Sequence, residues 1–212
     1  MALINNELVA DILVGDESVD APADNTLTGN TPTYINYLLS NKTYDKYFDE
    51  NGIIKNISTQ KDIHFVVDGT IANKNFILNN NRTITITNYN NALLINSTIT
   101  TLGTTNLNMS NIKIVNTNNK VAIELNTPTN TILYNNITTN TNAINVINST
   151  TLTINYNNIT ATGTSNVTAI SIKNSKTSLN IQYNNIKTTG PSLPVDWTTG
   201  RVGTTSIEIL NT

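Results

Sequence analysis

Few residues in this chain could carry chemistry, and most stand apart from one another. Residues 187–205 read KTTGPSLPVDWTTGRVGTT and hold the only tryptophan, Trp197, together with Asp196, Arg201, Pro191 and Pro194. An indole face suits stacking against a sugar ring, and loops that leave a regular framework carry function disproportionately. The 187–206 segment is therefore the first candidate for ligand binding, through Trp197, Asp196 and Arg201. The competing reading is a loop folded back so that Trp197 covers a flank. Acid–base catalysis on a polysaccharide needs clustered carboxylates. Glu124 and Glu208 share the outward position of a recurring A-I-x-I element. Three steps of about 4.8 Å separate them, roughly 14 Å, which exceeds either glycosidase spacing. No catalytic residue is assigned.

Metal chemistry has as little support. His64 is the only histidine and there is no cysteine, so an ordinary zinc site has no second imidazole or thiolate. A structural role is expected for His64. Asp45, Asp49 and Glu50 precede Asn51-Gly52, but their spacing does not match a calcium loop. No metal and no cofactor are expected.

The composition narrows the fold. Of 212 residues, 40 are Asn and 37 are Thr. Asn is poor in helices, while Thr suits strands and turns. Regularly spaced Ile, Leu and Val separate the chain from a disordered polar tract. A net charge of −2 with 12% charged residues leaves no basic surface for a nucleic-acid backbone. No apolar run is long enough to span a membrane. The start, MALINNELVADILVGDES, lacks the basic and apolar regions of a secretory signal.

Three zones follow one another. Residues 1–30 are acidic and expected to be weakly ordered. Residues 31–61 form an aromatic N-terminal cap, with Tyr34, Tyr37, Tyr44, Tyr47 and Phe48 close together. Tyr34, Tyr37 and Leu38 fit one short helical face, and Tyr44, Tyr47 and Phe48 another. Asn51-Gly52 ends the second. From residue 62 to 212 the period changes to two. In IHFVVDG, Ile63, Phe65 and Val67 face one side and His64, Val66 and Asp68 the other.

Two elements then recur. TILYNNI, TINYNNI and NIQYNNI repeat one, with LNMSNI a looser copy; AIEL, AINV, AISI and SIEI repeat the other, with ALLI at Ala92 a looser copy. Ile112, Ile137, Ile159 and Ile186 mark successive copies, a drifting period of 22–27 residues. That period, built from short strands and turns, predicts a solenoid whose stacked coils share one core. Ile154 and Tyr156, like Ile132 with Tyr134 and Ile181 with Tyr183, are expected to point inward. The Asn pairs 135–136, 157–158 and 184–185 are expected to turn a corner and stack as a hydrogen-bonded ladder.

The coil resembles the right-handed parallel β-helix, over roughly residues 62–212. The Asn/Thr richness and the TYDKYFDENGIIKN segment resemble the adhesin-like surface proteins of methanogenic archaea. That resemblance implies a secreted, cell-wall-associated protein whose repeats act as stalk or binding surface, and it carries over no catalytic residue. The expected fold is thus all-β, a right-handed parallel β-helix with a short, partly helical N-terminal cap. SIEILNT closes the sequence inside a strand-type element, so a natural continuation or end-to-end self-association is expected.

Two further readings come from composition. Nine N-x-S/T triplets occur, beginning at Asn41, Asn56, Asn81, Asn96, Asn108, Asn136, Asn148, Asn158 and Asn166, but 40 Asn and 49 Ser or Thr in 212 residues give about nine by chance. Thr83, Thr85 and Thr87 suggest an ice-ordering array, yet Leu133, Asn155 and Gln182 break its registry. Three functions remain: an adhesin-like or stalk module binding carbohydrate or protein, a carbohydrate-active β-helix enzyme, and a spacer without ligand.

Overall fold

A computed structural model describes residues 3–4, 7–8, 34–57, 62–164, 167–175, 178–190 and 204–210. The predicted loop residues Trp197, Asp196 and Arg201, the triplet at Asn166 and most of the 1–30 segment lie outside these. The fold is nearly all β, a parallel solenoid of about five turns. β1 (Leu3–Ile4) and β2 (Glu7–Leu8) form a separate antiparallel pair.

Each coil contributes up to three strands, and like strands stack in parallel register. The first column runs through β3 (Tyr34–Leu39), β4 (Asp62–Ala72), β6 (Thr83–Ile95), β8 (Asn106–Ser110), β11 (Thr129–Leu133), β14 (Thr151–Asn155) and β17 (Ser178–Gln182). The second starts at the far end of the long β6 and continues through β9 (Lys113–Asn116), β12 (Asn136–Thr139), β15 (Asn158–Thr162) and β18 (Asn185–Thr189). The third is a six-stranded sheet of β5 (Asn75–Leu78), β7 (Thr98–Thr101), β10 (Ile123–Leu125), β13 (Ile144–Ile147), β16 (Thr168–Lys173) and β19 (Thr205–Leu210).

Alternation fills the core. Met109, Ile132, Ile154 and Ile181 stand in register in the first column. Ile114, Ile137, Ile159 and Ile186 do so in the second. All are buried except Ile181 and Ile186 of the last coil, which are partly buried. Fully burying one such side chain contributes about 1.5–3 kcal/mol. In the third column Ile170 and Ile172 are fully buried, whereas their partners Ile207 and Ile209 on β19 are 39% and 50% exposed.

Aromatic rings fill the opposite end. Tyr37, Tyr44, Tyr47 and Phe48 are buried and pack with Phe65 and Phe76, ring centroids 4.7–5.9 Å apart. Only α1 (Tyr44–Tyr47) of the two expected helical faces is helical. Tyr34–Leu39 is instead strand β3, paired in parallel with β4. The unpaired edge of the first long strand is satisfied by a neighbouring strand, and Tyr and Ile fit a pleated surface well.

Register corrects two assignments. Ile112 does not belong with Ile137; Ile114 does, and Ile112 lies one step after the corner, in line with Asn135. ALLI is not a copy of AIEL, because Leu93–Ile95 pair with Lys113–Val115 in the second column. The strand in line with Ile123–Leu125 is β7. Both slips share a cause: the elements have the same alternation, and only the corner conformations separate them.

Candidate functional site

The corner between the first two columns is where the repeat differs most from expectation. Asn111, Tyr134, Tyr156 and Tyr183 occupy it on successive coils, all left-handed, with φ of 60°, 57°, 59° and 56°. A left-handed residue reverses the strand's alternation at once, so the tyrosines do not point into the core. Tyr134, Tyr156 and Tyr183 are 55%, 47% and 71% exposed, which overturns the inward placement. Their rings stack at 5.0 and 4.9 Å with planes 9° and 10° from parallel. Tyr156 has a ring against each face, so it offers its edge to solvent.

The residue after each tyrosine turns inward. Asn135 and Asn157 are buried. Asn135 Nδ2 donates to Asn157 Oδ1, and Asn157 Nδ2 to Asn184 Oδ1, both at 3.0 Å. The same oxygens accept the backbone N–H groups of Asn135 and Asn157 at 2.9 Å. Asn157 Nδ2 also reaches the carbonyls of Ile132 and Asn155. Asn135 Oδ1 accepts from the Ile112 N–H at 3.0 Å. The second asparagines, Asn136, Asn158 and Asn185, begin the next strand and are exposed, and Asn185 Nδ2 donates to Asn158 Oδ1 at 3.2 Å. Each amide pair thus divides between an internal ladder and an outer row. The alternation Y-N-N-I held the signal, because a left-handed Tyr puts the next residue inside.

A second feature lies on the outer face of the third column. Asn75, Thr98, Ile77, Thr100 and Glu124, all outward on β5, β7 and β10, form the floor of an open cleft of about 380 Å³. Asn119, Lys120 and Val121, from the turn before β10, form one wall. In the sequence Glu124 stands out only beside Glu208, as the shared outward position of A-I-x-I. The outward row Thr100, Glu124, Asn145, Ser171, Glu208 keeps the two carboxylates three strands apart, and Ser171 Oγ lies 3.3 Å from Glu208 Oε2.

His64 sits on the outer face of β4, with Nε2 2.7 Å from Thr87 Oγ1. Burial holds its pKa down at about 4. Val66 and Thr87 share the next outward row and are buried, as is Asn36, beside His64 in register. Among the described residues no group of three or more His, Cys, Asp or Glu could hold a metal ion, and no helix is long and apolar enough to cross a membrane. No protein-family model matches the chain, and neither does any curated protein or solved structure.

Proposed function

We propose that the protein is a non-catalytic, adhesin-like or stalk module that binds an extended carbohydrate along the tyrosine corner. The observation that carries this reading is the repeated exposure of Tyr134, Tyr156 and Tyr183 on successive coils. Asn111 occupies the same corner position in the coil before them, so the turn itself does not require an aromatic ring. A left-handed backbone costs a non-glycine residue roughly 1–2 kcal/mol, less for Asn, and a stacked aromatic pair returns about 0.5–1.5 kcal/mol. Folding alone therefore gains little from tyrosine here. Exposed aromatics presented in series suit a ligand that is itself a series.

The surroundings favour a neutral, hydroxyl-rich polymer. Exposed Asn136, Asn158 and Asn185 follow the three tyrosines, giving amide donors and acceptors beside ring edges. The ring spacing is close to the advance of one pyranose along an extended glycan. In this reading the protein works outside the cell or in the cell wall, as adhesin-like proteins do, and its coils double as a stalk.

A glycan-array screen tests this with wild type, the triple variant Y134N/Y156N/Y183N and Trp197→Ala. A polysaccharide signal lost in the triple variant and kept in Trp197→Ala supports the corner. Loss only in Trp197→Ala moves the contact to the 187–206 segment. No signal in wild type leaves the spacer reading, and release of shorter products would make the protein an enzyme.

A further inference from the structure

We infer that the cleft over β5, β7 and β10 is a separate binding site for a single sugar ring, held through a vicinal diol by Glu124. This goes beyond the tyrosine corner and does not depend on it.

The wall is built before any ligand arrives. Asn119 is left-handed, with φ of 58°. Its backbone N–H donates to Asn140 Oδ1 at 3.0 Å, while Asn140 Nδ2 donates to the Thr117 carbonyl at 2.9 Å. Asn96 Oδ1 accepts from the Thr117 N–H at 2.9 Å, and the Asn96 carbonyl accepts from Asn118 Nδ2 at 3.2 Å. On the cleft side, Thr98 Oγ1 donates to the Val121 carbonyl at 3.0 Å. Five bonds to three residues on two neighbouring segments hold the turn, so ordering it costs a ligand little.

The groups facing the cleft choose the ligand. The Glu124 carboxylate makes no hydrogen bond among the described residues, and neither do the side chains of Asn75, Asn119 and Lys120. A carboxylate can accept two charge-assisted bonds from adjacent hydroxyls. Amides on either side supply both donors and acceptors, and Lys120 adds donors for hydroxyl or ring oxygens. Ile77 and Val121 offer apolar surface for the C–H side of a pyranose. One cation and one anion leave the lining without net charge, which favours a neutral sugar over an ionic ligand. The volume lies at the small end of ligand pockets, suiting one ring rather than a chain.

The test is titration of the full chain with glucose, mannose, galactose and N-acetylglucosamine, followed by backbone amide shifts. A zwitterionic amino acid, glycine, runs in parallel. At least one sugar is expected to bind in the millimolar range and to shift the amides of Thr98, Thr100 and Glu124. Glu124→Gln should weaken it at least tenfold, in line with a charged hydrogen bond, and Lys120→Met less. Y134N/Y156N/Y183N should leave it unchanged, so failure of the corner and failure of the cleft are distinguishable. Absence of sugar binding in wild type overturns the inference, as do shifts that leave Thr98, Thr100 and Glu124 unmoved, equal affinity in Glu124→Gln, or binding of glycine alone.

Discussion

Tyr134 and Tyr156 occupy the same corner of successive coils, both left-handed, with rings stacked 5.0 Å apart and 9° from parallel. Strain and stacking are of similar size there, so Tyr156→Asn, the residue type found at Asn111, should change stability by no more than about 1 kcal/mol. Tyr156→Val should cost more, because a β-branched side chain tolerates positive φ poorly. Urea unfolding of both variants checks the order; equal losses would show that stacking, not backbone conformation, dominates the corner.

The buried ladder makes a sharper contrast between adjacent residues. Asn157→Ala removes an amide that bonds above, below and to its own strand. The buried groups left behind should cost about 3 kcal/mol or more. Asn158→Ala, one residue on and exposed, should stay within about 0.5 kcal/mol. Thermal unfolding distinguishes them.

His64 sets a pH dependence. Its folded pKa, about 4, lies below the ordinary 6.5. Between those values the unfolded chain binds the proton and the folded chain does not, so stability falls as pH drops from about 6.5 to about 4. The full loss is up to about 3 kcal/mol. Chemical unfolding of wild type and His64→Asn across this window should show a slope in the first that is reduced in the second.

Burial predicts a gradient along the core. Ile154 is fully buried, while Ile181, directly in register, is only partly so. Ile154→Ala should cost about 2–5 kcal/mol, and Ile181→Ala less than half of that. Equal losses in urea unfolding would mean that the last coil is as tightly packed as those inside.

Much of this architecture is legible in the residues. Ile at alternate positions with a period of 22–27 leads to stacked parallel strands, because only vertical stacking lets such short segments share a core. The asparagine pairs are legible only by half: Asn135, Asn157 and Asn184 form the expected ladder, whereas Asn136, Asn158 and Asn185 face outward and the left-handed turn falls on the residue before each pair. The tyrosine direction is not legible: alternation places Tyr156 inside, and one left-handed residue reverses it, a conformation the residue type disfavours. Tyr34–Leu39 misleads because a tertiary demand for edge pairing outweighs a helical pattern. The cleft is hidden because Glu124, Thr98 and Lys120 are ordinary surface residues until coil register sets them side by side.

The two ends of the described stack are unequal: six aromatic rings close one, while Ile207 and Ile209 stand half open at the other. In a one-dimensional array each coil leans only on its neighbours. Among the described coils, opening should therefore cost least at β17–β19, where Ile181, Ile186, Ile207 and Ile209 are incompletely buried, and most beside the rings. Amide hydrogen exchange would record it as protection climbing from coil to coil, and a pulling force applied to that edge would release the coils one at a time.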